Sequence, residues 1–293
     1  MSVNNKENHG SVSQRLPKWM KMRSRLPKDG NYHKVKDIVS SNNLHTICTS
    51  GNCPNIGECW GNGTATFMIL GEICTRSCKF CGVKTGMPLP LDPDEATRLA
   101  ESISSMGIKH AVITSVDRDD LEDKGANAWA ETIRTCKQKN PDLTLETLIP
   151  DFDGDTSLID LVIDAHPEVI SHNLETVRRL SPQIRSRAKY DLSLSVVKHI
   201  AASSCIAKSG IMLGIGEEFD EVLETMDDLI AVGCTVLTIG QYLQPTRDHL
   251  QIEEWVSPER FEEYRLIGIK KGFKHVEASP LVRSSYHAEK HIK

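Results

Sequence analysis

From about residue 64 to the C-terminus, short β-rich runs alternate with longer helical patterns, and this alternation restricts the chain to a parallel α/β architecture. Strands are predicted at 64–71, 110–115, 143–149, 168–171, 209–213 and 235–240, with a weaker seventh at 274–278. Between them the pattern predicts helices over 94–106, 126–139, 155–165, 191–202, 218–232 and 258–271. The punctuation agrees: Pro93 precedes the first helix, Gly107 ends it, and the second stops ahead of Pro141. A strand followed by a helix about six times predicts crossover connections and a sheet closed or partly closed into a barrel. A doubly wound open sheet is the alternative, and 293 residues suffice for either.

Several function classes fall away on composition. No apolar run approaches the ~18–20 residues that a membrane-spanning helix needs. The net charge of −5 is uneven: Lys6, Arg15, Lys18, Lys21, Arg23, Arg25 and Lys28 face only two acids within residues 1–30. The remaining chain is therefore acidic, and with 5% aromatic residues it offers neither a phosphate-binding surface nor a stacking platform for nucleic acid. The basic arm lacks the apolar segment of a secretory signal, and Glu7, its prolines and Trp19 argue against a transit peptide. The expected compartment is the cytoplasm, where cysteines stay thiols.

Six of the nine cysteines lie between residues 48 and 81 in two groups of three, Cys48-x4-Cys53-x5-Cys59 and Cys74-x3-Cys78-x2-Cys81. Cys136, Cys205 and Cys234 are scattered and read as small buried hydrophobes. Structural zinc wants four ligands in paired short spacings, which neither triplet supplies. Three thiolates suit a [4Fe–4S] cluster instead, leaving one iron open to a substrate or cofactor. The second triplet falls in the first of the polar stretches that follow the strands (71–82, 115–120, 150–155, 172–175, 214–217, 241–246). In parallel barrels that end of the strands is where sites are built. Gly214 and Gly216 would allow close backbone approach, but GIGEEF fails as a dinucleotide fingerprint because Phe219 occupies the third glycine position. The run from Asp151 to Asp155 has its glycine at position four rather than six, so it is no calcium loop, and the eleven histidines show no ligand spacing.

The Cys74, Cys78, Cys81 spacing, with Phe80 before the last cysteine, resembles the signature of the radical S-adenosylmethionine (SAM) superfamily. The upstream triplet narrows the resemblance, together with CTRSCKFC (74–81), TSVDRDDL (114–121), HNLETV (172–177), GIGE (214–217), LTIGQYLQPT (237–246) and RSSYHA (283–288). With RLPKW (15–19) in the arm, nearly the whole chain from about residue 15 resembles the lipoyl synthase family. One departure is Lys124, where that family's pattern has glycine.

The resemblance implies a partial (β/α)6 barrel of the radical SAM type with N- and C-terminal extensions. It would divide the chain into 1–62 (arm and auxiliary-cluster segment), 63–280 (barrel) and 281–293 (C-terminal segment with the RSSY motif). The implied activity is insertion of two sulfur atoms at C6 and C8 of a protein-bound octanoyl-lysine. Those carbons are unactivated, so the chemistry needs a radical that a cofactor supplies. The implied cofactors are two [4Fe–4S] clusters and SAM, two molecules per lipoyl group formed. Cys74, Cys78 and Cys81 would hold the cluster that cleaves SAM; Cys48, Cys53 and Cys59 would hold the auxiliary cluster, the sulfur donor. Its fourth ligand is carried over to Ser285, with Ser284 as the fallback; without the resemblance both serines read as turn residues. Phe80 is expected beside the adenine, and Ser115, Asn173, Glu175 and Arg187 around the amino acid and ribose of SAM. Arg283 is expected to hold the cluster or a substrate carbonyl, or to pair with a surface acid. Implied partners are octanoylated lipoyl-carrier domains, to which the basic arm would dock by charge, a low-potential electron donor of ferredoxin or flavodoxin type, and iron–sulfur assembly or carrier proteins. The rival readings are another radical SAM sulfur transferase, an iron–sulfur electron carrier and a zinc-stabilised module.

Overall fold

A computed structural model describes residues 16–20, 31–185 and 187–292. Of the basic arm, only Leu16 to Met20 lie among the described residues, so Lys6, Arg15, Lys21, Arg23, Arg25 and Lys28 fall outside them. Helix α1 (Asn31–Ser41), strand β1 (His45–Thr46) and the short helices α2 (Ile47–Ser50) and α3 (Ile56–Gly61) lead into β2 (Thr66–Ile69). The loop after β2 contains a two-strand ladder, β3 (Ile73–Cys74) with β4 (Lys84–Thr85). Then follow α4 (Glu95–Met106), β5 (His110–Ser115), α5 (Ala126–Lys139), β6 (Thr144–Leu148), α6 (Thr156–Ile163) and β7 (Val169–Ser171). The remainder is α7 (Ser181–Ile184), α8 (Tyr190–Ala201), β8 (Ile206–Leu213), α9 (Phe219–Ala231), β9 (Val236–Gln241), α10 (Pro258–Lys271) and β10 (His275–Ser279).

The sheet order β1-β2-β5-β6-β7-β8-β9-β10 is monotonic, and every pairing after the antiparallel β1–β2 edge is parallel. A doubly wound sheet reverses its strand order at a switch point; this one does not. The weak seventh strand is real, as β10 beside β9, and six strand–helix units plus β10 give the partial barrel. No ladder joins β10 to β2 among the described residues. The C-terminal segment reaches β2 instead, through Thr66 Oγ1, which donates to Ser285 Oγ at 2.8 Å.

Strands β2 and β9 are buried at every position, as expected where helices cover one face and the barrel interior the other. Helix ends follow local chemistry. Gly107 sits left-handed (φ +68°) and returns its N–H to Ile103 and Ser104. Ser257 accepts from Arg260 N at the start of α10, with Pro258 in the first turn. Among the described residues no helix is long and apolar enough to cross a membrane.

Candidate active site

The loop carrying the second cysteine triplet is closed by short-range contacts and anchored by long-range ones. The β3–β4 ladder (Cys74 opposite Thr85) closes it, and Gly86 N donates to Cys74 O at 3.0 Å. Arg76, between Cys74 and Cys78, is buried and fixes it to the neighbouring βα loops. Its guanidinium donates to both oxygens of Asp119 at 2.8 Å, and lies 2.8 Å from Asp151 Oδ1 and 3.3 Å from Asp117 Oδ1. Burial works against that charge, but the carboxylates outweigh it and hold Arg76 above the ordinary arginine value. Asp151 and Asp153 thus serve as ion-pair partners: Asp153 also meets Arg187 at 2.8 Å and Lys124 at 3.4 Å.

This loop forms one wall of a cavity of about 350 Å³, a size that suits a small molecule, at the C-terminal ends of the strands. Cys74, Cys78, Phe80 and Cys81 line it, facing Ser115, Asn173 and Glu175 from other strand ends. Ser115 Oγ accepts from Trp129 Nε1 at 3.2 Å, which fixes its direction. Glu175 sits in the left-handed region (φ +66°), a strained conformation for a non-glycine residue. It is held there because its N–H donates to Gly210 O and its carbonyl accepts from Met212 N. Burial raises the Glu175 carboxyl, with Arg185 and Asn173 opposing. Gly210 has to be glycine: a Cβ there would lie 2.6 Å from Thr238 Oγ1 and 3.0 Å from Asn173 Oδ1.

Two candidates sit elsewhere. Arg187 is half-exposed and tied to Asp153, off the cavity wall. The wall holds Arg185 instead, buried and donating to Ser193 Oγ at 2.8 Å. Both arginines follow the four-residue helix α7, too short for any periodicity to tell which one faces inward. The loop from Gly214 to Glu217 also lies off the wall. The close approach at Gly214 is to this chain's own Gln241 and Glu254, 2.1 and 2.4 Å from a notional Cβ. Gly216 is needed for its φ of +102° rather than for proximity.

The first triplet is assembled differently. Thr46 caps α2 by accepting from Thr49 N, Cys48 lies on α2, Cys53 N donates back to Cys48 O at 3.0 Å, and Cys59 lies on α3. Asn55 Nδ2 donates to Leu281 O at 2.7 Å and so ties this segment to the C-terminal one. Two adjacent serines of that C-terminal segment border different spaces. Ser284 lines the large cavity, whereas Ser285 and Cys59 share a separate hollow of about 130 Å³. Arg283 also lines the large cavity and, among the described residues, has no carboxylate within ion-pair distance. Burial lowers its value, while the nearby Cys53 thiolate would favour its charge.

The thiols fit cation binding. Burial, then Asp117, pushes Cys74 up to about 12; burial pushes Cys81 to about 11, and burial with the neighbouring Cys53 and Cys48 pushes Cys59 to about 12. They become thiolates when a cation compensates. A tetrahedral zinc with Zn–S of ~2.3 Å would draw its sulfurs to within ~4 Å of one another. Among the described residues, the grouping of such donors that lies within 4.8 Å is His275, Glu277 and His291, brought together by the fold with no sequence spacing to announce it. Neither cysteine triplet is gathered that closely; what fits each set to a [4Fe–4S] cluster with one open iron is its three thiols, one short of the four ligands of structural zinc.

Comparison with known proteins agrees with this chemistry. The model of the radical SAM superfamily matches residues 68–229. A lipoyl synthase of Parabacteroides distasonis is 63% identical over 95% of this chain and 98% of its own length. One from Treponema denticola is 57% identical over 99% of both chains. A crystal structure of methylornithine synthase shares the fold at 11% identity, with a TM-score of 0.54 over 85% of this chain and 78% of that one. An iron–sulfur cluster and SAM are therefore this enzyme's cofactors, and the chain belongs to the lipoyl synthase family of the radical SAM superfamily.

Proposed function

We propose that the chain inserts two sulfur atoms, at C6 and C8, into an octanoyl-lysine on a lipoyl-carrier domain. In this reading it uses two clusters: one on Cys74, Cys78 and Cys81, the other on Cys48, Cys53, Cys59 and Ser285. When bound, the first cluster with SAM supplies hydrogen abstraction from unactivated carbon, and the second supplies the sulfur. The observation that carries the reading is the division of the C-terminal serines: Ser285 faces the hollow it shares with Cys59, while Ser284 and Arg283 face the cavity of the second triplet. An acyl chain in the large cavity would then lie between two metal-binding loops.

The chain's own residues bind and orient. Phe80, Ser115, Asn173 and Glu175 would contact SAM; Arg185 takes the inward place that the sequence suggested for Arg187. Arg283 donates to Val282 O at 2.6 Å and keeps further N–H groups for a substrate carbonyl or an anionic cluster. The apolar share of the wall, including Ile47, Met68, Val83, Ile211 and Met212, suits an alkyl chain and excludes water. The carrier domain, a ferredoxin- or flavodoxin-type reductant and an iron–sulfur carrier protein are the proposed partners.

The test is mass spectrometry of an octanoyl-lysyl peptide after anaerobic incubation with the reconstituted protein, SAM and a strong reductant. Two hydrogens exchanged for two sulfurs is the expected result. Cleavage of SAM without any gain of sulfur would overturn the substrate assignment.

A further inference from the structure

Below the large cavity, inside the barrel, lies an ion pair with no contact to solvent. Lys208 on β8 and Glu146 on β6 are separated in the sheet by β7 and meet across the interior, Nζ to Oε1 at 2.6 Å, both fully buried. Such a pair is a poor stability device: the cost of desolvating two charges roughly cancels their attraction, and apolar residues of similar volume often do as well. The ammonium has a second strong partner, the carbonyl oxygen of Ser284 at 2.5 Å, with His291 Nδ1 at 3.2 Å. Both belong to the C-terminal segment. The barrel interior therefore grips that segment through one cation, one residue before Ser285.

We propose that Lys208, oriented by Glu146, is the positioning residue that sets Ser285 toward the hollow it shares with Cys59. This rests on the reading that Ser285 ligates the auxiliary cluster. The geometry is direct. The peptide joining Ser284 to Ser285 is planar, so fixing the direction of the Ser284 carbonyl fixes the N–H and Cα of Ser285 as well. Thr66 Oγ1 then holds the Ser285 hydroxyl at 2.8 Å from the other side. Free of Lys208, the segment keeps the Asn55 contact to Leu281 but has lost the constraint that sends the two serines to different spaces. Among the described residues the Lys208 ammonium bonds Glu146, Ser284 and His291 and no residue proposed to contact SAM, so its removal should spare SAM cleavage.

The experiment uses the full-length, iron-loaded protein and ⁵⁷Fe Mössbauer spectroscopy, which separates an oxygen-ligated iron from thiolate-ligated ones. Ser285→Ala is the reference and should lose the oxygen-ligated component. Lys208→Met/Glu146→Leu removes both charges together; it should take up a full iron complement, cleave SAM within twofold of the parent rate, lose the same component, and drop sulfur insertion at least ~100-fold (about 2.7 kcal/mol in barrier). Should that variant not fold, Lys208→Gln/Glu146→Gln keeps a neutral hydrogen-bonding pair whose shorter side chain no longer reaches Ser284, with the same losses expected. If Ser285→Ala changes the spectrum and the pair variants do not, the role of Lys208 is refuted while the ligand reading stands. If Ser285→Ala leaves the spectrum unchanged, both fall.

Discussion

The two cysteine triplets are equal in number and similarly buried, yet different kinds of structure hold them. Cys74, Cys78 and Cys81 sit on one loop, closed by its own two-strand ladder and pinned by Arg76 to acids on the next two βα loops. All three face the large cavity. Cys48, Cys53 and Cys59 sit outside the parallel strands on α2, α3 and their connection, and their tie to the C-terminal segment spans 226 residues of sequence. The second triplet is carried on one loop of the barrel. The first depends on the chain coming back upon itself, and whatever loosens residues 281–291 should disable it and spare the other.

The largest expected effect tests that independence. Cys74→Ala should lower SAM cleavage at least ~10³-fold, about 4 kcal/mol in barrier, and take sulfur insertion with it. Cys48→Ala should abolish sulfur insertion while 5′-deoxyadenosine is still released. Loss of SAM cleavage in both variants would mean that the triplets act as one structural unit. Arg76→Met comes next. It leaves Asp117, Asp119 and Asp151 without their shared cation, and removing one side of a buried charge cluster typically costs ~3–5 kcal/mol. Thermal melting should show the drop, and iron bound at the first triplet should survive it below the new midpoint.

A third prediction concerns acid. His172, at the end of β7 in the cavity wall, is fully buried, between Ile149 O and Ser193 Oγ at 3.0 Å each. Burial, then Arg185, lowers it to about 4. A lowered folded value means that the unfolded chain takes up the proton first as pH falls. His172 therefore contributes stability that is full above ~6.5 and is lost progressively down to about 4, on the order of 3 kcal/mol in all. Denaturant midpoints of the parent should fall across that window, and those of His172→Asn should fall less. Equal slopes would place the acid sensitivity outside the barrel wall.

The same contrast explains what was legible. Each barrel strand and each barrel helix of eight residues or more was visible within about three residues because its pattern and its stop signals are local: β5, at His110–Ser115, and α5, at Ala126–Lys139, begin and end where the sequence says. The cysteine spacings were legible for the same reason. The helix α1 and the short α2, α3, α7, β1, β3 and β4 went unseen, since two to six residues carry no period and α1 follows the irregular arm. The choice between Arg185 and Arg187, the four-carboxylate environment of Arg76 and the meeting of Lys208 with Glu146 and Ser284 are long-range facts. Only the folded barrel brings those residues together.

Lys124 gives the smallest effect and the finest test of the loop side. It stands where the sequence resemblance predicts glycine, and its φ of +51° fits that expectation: the backbone turns left-handed there, at about 1–2 kcal/mol for a residue with a Cβ. Glycine would remove that strain but add ~0.5–1 kcal/mol of unfolded-state entropy. It would also lose the pair with Asp153 at 3.4 Å, which is partly exposed and contributes ~0–1 kcal/mol. Lys124→Gly should therefore shift stability little, by no more than about 1.5 kcal/mol or a few degrees of melting temperature. Lys124→Ala, which keeps the strain and loses the pair, should be the less stable of the two, and neither should change SAM cleavage. If Ala is the more stable by ~0.5–1 kcal/mol, the glycine entropy cost stands uncompensated, the left-handed turn carries no strain, and Lys124 is held by its charge on Asp153 alone.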